Sequence, residues 1–278
     1  KTTLLKKYIT DPEILIMPGV HDVLSAVIAE KCGVKAVQVS GYGVAGSYLG
    51  LPDVGILTLT QMAEVTYHIA QAVNIPVMAD GDTGFGNAIN LYYTVREFEN
   101  AGAAGVNLED QLFPKRCGHM GGKQIISFSE AVKKIEAAVA AKRDPDFVIN
   151  ARTDAIAVAG VDEAIKRGNA FIKAGATMVF VEAPTKEDDI KRVIQSIDGP
   201  VSINMLYSRK TPRVPIKTLQ EWGAARVSVP TASIFAVAKE LEKVYKLILN
   251  DEGGTKLLDE SFKFEEYTNI VGLPKIKE

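Results

Sequence analysis

Four stretches of this chain repeat one pattern: KCGVKAVQVSG from Lys31, NAGAAGVNLED from Asn100, KAGATMVFVEA from Lys173 and EWGAARVSVP from Glu221. In each, a helical pattern stops at a glycine (Gly33, Gly102, Gly175, Gly223). A short β-rich run follows that is apolar throughout and ends in polar residues. Glycine is the natural helix C-cap, and strands apolar on both faces are those of a parallel sheet covered on both sides.

ILIMPG, IPVMADGD, FVINARTD and PVSINM add further strands. The predicted set is eight, near Ile14–Met17, Ala36–Ser40, Val77–Asp80, Gly105–Glu109, Phe147–Ala151, Met178–Glu182, Val201–Asn204 and Ala225–Val229. Helical patterns alternate with them at about 22–32, 60–73, 88–101, 128–142, 161–174, 186–197, 215–222 and 231–248. Eight alternating units in 278 residues predict an α/β fold, a (β/α)8 TIM-type barrel. A doubly wound open sheet would show a Gly-rich phosphate turn after its first strand, and PGVHD is not one. No linker rich in Pro, Gly or Ser divides residues 1–278, so the expectation is one barrel domain with 231–278 as a C-terminal helix and tail.

A hydrophobic content of 47% is ample for a core. The net charge of −2, from 32 basic and 34 acidic residues, argues against nucleic acid or an anionic membrane as partner and for a small molecule. Two cysteines, Cys32 and Cys117, make neither a disulfide framework nor a zinc site, which fits a reducing, cytoplasmic setting. No segment approaches the roughly 20 apolar residues of a membrane span, and the N-terminus lacks the pattern of a cleaved leader.

Barrel active sites lie at the C-terminal ends of strands. Here those ends carry Ser40, Gly41 and Tyr42, then Asp80 and Asp82, Glu109, Arg152, Glu182 and Asn204. Asp80, Asp82 and Glu109, with Asp53 from GLPDVG, are expected to converge, and four carboxylates repel unless a cation joins them. Oxygen donors without clustered His or Cys point to Mg²⁺, with Mn²⁺ as the alternative. A turn or helix cap is the other reading of Asp82.

The segment QLFPKRCGHMGGK, Gln111 to Lys123, has the Gly content of a mobile lid, with Gly118, Gly121 and Gly122 as hinges. Lys115, Arg116, His119 and Lys123 surround Cys117, so its thiol is expected to have a depressed pKa suited to proton transfer. The alternative is a solvated basic loop. Cys32 is expected to be a small core residue. Arg152 suits a bidentate grip on a substrate carboxylate or, alternatively, an ion pair with Glu182 or Asp154. Backbone N–H groups near Ser40, Gly41 and Tyr42 offer a second anion site. His21 and His68 show no partners in the sequence.

PGVHDVLSA, SGYGVAGSYLGLPDVG, ADGDTGFGNA, LEDQLFPKRCGHMGGK, ARTDA and FVEAP together resemble the isocitrate lyase and phosphoenolpyruvate mutase superfamily over nearly the whole chain. KRCGH resembles the carbon–carbon lyase loop rather than that of the phosphonate enzymes, and Pro230 stands where hydrolases tend to carry Ser. The chain also lacks the insertions of full-length isocitrate lyases. The resemblance therefore implies an alkylmalate-cleaving lyase acting by a retro-aldol route, on 2,3-dimethylmalate or alternatively 2-methylisocitrate. Oxaloacetate hydrolase and phosphonopyruvate mutase chemistry are its more distant alternatives.

For the site, the resemblance implies Mg²⁺ at Asp80, with Asp53, Asp82 and Glu109 contributing directly or through water. It implies Cys117 as general acid, Tyr42 or Glu109 as base, and substrate contacts from Ser40, Gly41, Tyr42, Gly118, His119, Arg152, Glu182 and Asn204. It further implies a homotetramer, a dimer of dimers in which the C-terminal helix is exchanged between subunits. Phe113, Leu206 and Tyr207 are candidates for the substituent on substrate C3.

Overall fold

Each of the four repeated glycines ends a helix in the same way. Gly33, Gly102, Gly175 and Gly223 sit at φ of 82°, 83°, 99° and 97°, a region costly for any residue with a Cβ. Each donates its N–H three residues back, and the next residue donates five back, as in Gly33 to Glu30 and Val34 to Ala29. Paired bonds of this kind satisfy the last helical carbonyls and aim the chain into the following strand.

The computed structural model describes residues 1–205, 211–250 and 261–276. Its strands are β1 (Leu15–Val20), β2 (Val37–Val39), β3 (Val77–Asp80), β4 (Gly105–Glu109), β5 (Val148–Thr153), β6 (Met178–Val181), β7 (Val201–Asn204) and β8 (Arg226–Val229). All neighbours pair in parallel and β8 closes on β1, giving the predicted eight-stranded barrel in sequence order.

The helices are α1 (Thr2–Thr10), α2 (Val23–Lys31), α3 (Gly41–Val44), which runs into a π-helical turn (Ala45–Leu49), α4 (Leu59–Ala72), α5 (Ala88–Asn100), α6 (Phe128–Ala141), α7 (Ile156–Ala159) and α8 (Val161–Lys173). They continue with α9 (Glu187–Ser196), α10 (Ile216–Trp222), α11 (Ala232–Asn250), α12 (Phe264–Ile270) and α13 (Leu273–Ile276). Side chains of Asp22, Thr58, Asn87 and Ser127 accept backbone N–H groups at the starts of α2, α4, α5 and α6. Because Asn87 caps α5, Asp82 is released from that role. The sequence reading contains neither α1 nor the π turn.

Inward side chains change character along the strands. At the N-terminal end, Met17, Met78, Val148 and Met178 pack with Leu5 and Ile9 of α1, which plugs the barrel. Above them the lining turns polar: Asn150 Nδ2 donates to Asn107 Oδ1 at 2.5 Å, and wholly buried Arg226 donates to Gln38 and to Met78 Sδ. Burial pulls Arg226 down to about 9. The rim beyond is charged.

One face is left bare. α11 has no buried residue, and Phe235, Leu241, Tyr245 and Ile248 on it are exposed. Ile16 of β1 is 48% exposed, although parallel barrel strands are normally covered on their outer side. Among the described residues no helix is long and apolar enough to cross a membrane.

Candidate active site

The strand ends and the Gln111–Lys123 loop enclose a cavity of about 50 Å³. Ser40, Tyr42, Asp53, Asp80, Cys117, Gly118, His119, Arg152, Glu182 and Asn204 all line it, so most of the predicted residues do meet. Asp82 and Glu109 are buried just outside it, and Gly41 turns its N–H onto Asp80 Oδ2 at 3.0 Å. The Gly41 N–H is thus spent on a protein carboxylate rather than left for a ligand. The Gly43 N–H likewise goes to Ser40 Oγ at 3.2 Å.

The expected convergence of four carboxylates is divided by a lysine. Lys115 Nζ lies 2.5 Å from Asp53 Oδ1 and 2.8 Å from Asp82 Oδ1. Burial pulls this ammonium down, but Asp82, Asp53, Glu109 and Asp80 together hold it well above its ordinary value. Among the described residues no three His, Cys, Asp or Glu side chains are arranged to hold a metal by themselves. Asp80 alone of the inner acids faces the cavity without Lys115 beside it. Its Oδ1 accepts the Asp82 N–H at 3.2 Å, which fixes the carboxylate across the turn.

The acids remain in surplus. Burial pushes Asp82 up to about 6, with Asp80 and Asp53 adding their repulsion against the pull of Lys115. Burial also raises Glu109 well above its usual range, and Arg152 does not fully offset it. Glu109 Oε1 is buried with no hydrogen-bond partner among the described residues. The orphaned Glu109 oxygen beside the cavity and the carboxylates of Asp53 and Asp80 that line it are oxygen donors that fit a hard divalent cation keeping most of its waters.

Arg152 meets both readings at once. Its Nε and Nη2 donate to Asp154 at 2.9 and 3.1 Å, and its Nη1 lies 3.0 Å from Glu109, yet the side chain lines the cavity. Its guanidinium stands over the Phe180 ring at 5.4 Å. Of the five N–H groups an arginine carries, two stay available for an anion. Glu182 takes His119 Nε2 at 3.1 Å and Asn204 Nδ2 at 3.4 Å.

The thiol overturns an expectation. Burial pushes Cys117 up rather than down, and Asp53 and Glu182 add to it against the His119 N–H and Arg152. The flanking cations are turned elsewhere. Lys115 serves Asp53 and Asp82, Lys123 serves Asp154 at 2.6 Å, and exposed Arg116 donates to Gly121 O at 3.2 Å. The thiol is therefore neutral at physiological pH, the form an acid needs and a nucleophile does not. Gln111 sets this loop by closing a pair of bonds on the Arg116 backbone, Nε2 to O and Oε1 from N.

Other expectations also change. Cys32 is exposed at the end of α2, because a C-cap position projects past the packed face. Phe113 is 58% exposed and borders a separate, largely apolar groove of about 440 Å³ beside Ile56, Leu57 and Phe85. Leu206 and Tyr207 lie outside the described residues. His21 is buried and meets Ser233 Oγ at 3.2 Å, tying β1 to α11, while His68 is on the surface. The sequence reading put Lys115 and Lys123 beside Cys117 and Asp154 beside Arg152, but it did not pair Lys115 with Asp53 and Asp82 or Lys123 with Asp154.

A closed parallel barrel whose strands end in acids and an arginine around a half-buried cysteine defines a class: barrel enzymes with a small polar site at the C-terminal ends of the strands. The family model described as phosphoenolpyruvate phosphomutase matches residues 5–249, and the chain belongs to that family, the PEP mutase/isocitrate lyase superfamily. It is 41% identical over 274 residues to 2,3-dimethylmalate lyase of Eubacterium barkeri, covering 99% of this chain and 95% of that protein. With 2-methylisocitrate lyase of Aeropyrum pernix it shares 38% identity, covering 97% and 86% respectively. A solved phosphonopyruvate hydrolase, in complex with oxalate and Mg²⁺, superposes with a TM-score of 0.90 at 29% identity, covering 99% and 96%.

Proposed function

We propose that this chain is a carbon–carbon lyase that cleaves a 2-hydroxy-2-alkyl dicarboxylate, 2,3-dimethylmalate in the first place, to pyruvate and propionate. The observation that carries the reading is the Cys117 thiol facing the same cavity as Asp80 and Arg152. Phosphonate chemistry has no use for a protonated thiol, whereas retro-aldol cleavage leaves a carbanion that must take up a proton.

Asp80 would hold Mg²⁺, with Asp53, Asp82 and Glu109 reaching it through water, and the hard, all-oxygen donor set favours that ion. When bound, the ion lowers the pKa of a coordinated hydroxyl and stabilises carboxylate charge. The chain supplies the rest. Arg152 receives one substrate carboxylate on its remaining N–H groups, over the apolar face of Phe180. Ser40, Tyr42 and Asn204 line the same cavity. Of the two base candidates, Tyr42 faces the cavity, but burial together with Cys117 and Asp53 pushes its phenol up, while Glu109, a carboxylate that burial raises, is paired to Arg152 behind the cavity wall.

As the C2–C3 bond breaks, the hydroxyl proton passes to the base, the hydroxyl oxygen becomes the ketone of pyruvate, and the electron pair of the broken bond goes to C3. Cys117 then gives its proton to C3, completing propionate. Water is kept out by the loop: the Cys117 N–H donates to Asp53 O at 3.1 Å, and Gly118 rests on Glu182 so closely that a Cβ there would lie 2.4 Å from Cγ.

The bare outer face of β1 and the unburied α11 support a homo-oligomer in which α11 of one copy covers another, within a homotetramer. Light scattering of the purified protein tests this, and a monomer would overturn it.

The test of function is pyruvate release from 2,3-dimethylmalate and 2-methylisocitrate side by side, with Mg²⁺ and with EDTA. Preference for dimethylmalate, lost in EDTA, is the expected result. Preference for methylisocitrate would keep the mechanism and change the substrate, and no pyruvate from either would overturn the lyase reading.

A further inference from the structure

Asp154 is wholly buried and shared. Its Oδ1 accepts from Arg152 Nη2 at 3.1 Å and from Lys123 Nζ at 2.6 Å, and its Oδ2 accepts from Arg152 Nε at 2.9 Å. Lys123 Nζ also donates to the carbonyl of Gly118 at 2.6 Å, the residue directly after Cys117. One carboxylate therefore touches both the guanidinium in the cavity and the cation that pins the thiol-bearing loop.

That carboxylate is itself held firmly. The Asp154 N–H donates to Asp110 Oδ1 at 2.9 Å, and Asp110 Oδ2 accepts from Thr153 Oγ1 at 2.7 Å and Arg167 Nη1 at 2.9 Å. Arg167 Nη2 reaches the carbonyl of Ile126 at 3.0 Å, where the loop returns to the barrel. A buried lysine is retained only if its partners replace its hydration, and Lys123 has two.

We propose that Lys123 is a positioning residue for Cys117, and that Asp154 couples it to Arg152, so that filling Arg152 with an anionic ligand and seating the thiol favour one another. An entering carboxylate competes with Asp154 and Glu109 for the guanidinium. Negative charge released from Arg152 stays on Asp154 Oδ1, where Lys123 is the other partner, and the bond that pins Gly118 strengthens as a result. Gly118 has no slack against Glu182, so this pin fixes where the thiol points. By linkage, a seated loop must also raise the affinity of the cavity for its anion. The inference rests on reading Cys117 as the acid of this cavity.

The test uses the full chain in a Cys32→Ser background, which leaves Cys117 as the single thiol. Its rate of alkylation by iodoacetamide, with and without Mg²⁺ and oxalate, reports how the loop is seated without any turnover. Lys123→Gln is expected to alkylate faster than the parent by about tenfold or more and to lose oxalate protection. Its calorimetric affinity for oxalate should stay within about tenfold of the parent, the direct grip of Arg152 being intact. Its kcat should fall with little change in KM, and Lys123→Arg should recover most of the protection. Asp154→Asn should lose protection without losing oxalate affinity, since it unlinks Lys123 from Arg152 and no longer competes with the anion for the guanidinium.

A Lys123→Gln protein that alkylates at the parent rate with full protection would overturn the proposal. So would one whose oxalate affinity collapses in step with protection, because Lys123 would then act on the cavity and not through the loop. Should Lys123→Gln fail to fold, hydrogen exchange of residues 117–123 in the parent decides: slowing by oxalate supports the coupling, and no change overturns it. A parent that cleaves no alkylmalate would overturn the proposed function while leaving the ligand-free alkylation contrast readable, so the two failures are distinct.

Discussion

At the N-terminal end of the strands, Leu5 and Ile9 of α1 close the barrel among Met17, Met78, Val148 and Met178. At the C-terminal end the barrel strands lead into Asp80, Glu109, Arg152 and Glu182 under a loop carrying three cations. Both ends are buried, and they differ in what burial does. Methionine and leucine gain from leaving water. Carboxylates lose by it, as the raised Glu109 and Asp82 record, unless Lys115, Lys123 and Arg152 restore the balance. One end holds the fold and the other is held by it, and chemistry is found at the end that is held.

That contrast can be broken from either side. Cys117→Ala should lower kcat by about 10²–10⁴-fold, the usual contribution of a general acid, while the thermal unfolding midpoint stays near the parent's. A parallel loss of stability would show that the loop is part of the fold and not merely seated on it. Leu5→Ala should do the reverse. Removing a wholly buried leucine from the plug is expected to cost about 2–5 kcal/mol in urea unfolding, with kcat of the folded protein retained. A drop in kcat at unchanged stability would mean that the plug reaches the site.

Asp82→Asn is the smallest effect and the one that sharpens the comparison. Asp82 is held above its unfolded value, at about 6. Its protonated form is therefore favoured by folding: that stability is fully present below the unfolded pKa and is lost as pH rises through about 6. In EDTA at pH 8 the asparagine should gain about 1–3 kcal/mol, and the fall in stability between the two pKa values should flatten. Turnover should decline, since Asp82 no longer answers Lys115. Asn and Asp proteins of equal stability at pH 8 would show that the mouth is not a source of strain.

The sequence made the scaffold legible because its signals are local. A glycine at positive φ after each helix and an unbroken apolar run in each strand need no knowledge of what lies across the barrel. Ser40, Asp53, Asp80, Cys117, Arg152, Glu182 and Asn204 were legible as strand-end and loop residues for the same reason. What escaped depends on where loop side chains travel. Lys115 and Lys123 flank Cys117 in sequence but reach Asp82 and Asp154, acids of other loops, so proximity along the chain gave the wrong sign for the thiol. A count of charges offered a clue, because so many buried rim acids demand cations from somewhere. Arg226 was hidden differently. It sits in a strand read as wholly apolar, and only the register shows that its side chain enters the barrel interior beside Gln38. The Leu5 and Ile9 spacing of α1 is a one-face helical pattern, but nothing local to it shows that this face enters the barrel.

The seating of the loop also decides what a protease meets. Residues 111–123 contain three trypsin sites, Lys115, Arg116 and Lys123, in a glycine-rich stretch that composition alone would mark for rapid cutting. Two of those side chains are committed to buried acids, and only Arg116 is presented to solvent. The digestion map of this short segment thus doubles as a gauge of the closed state: a single nick after Arg116 reports a docked loop, and cuts after the two lysines report that it has let go.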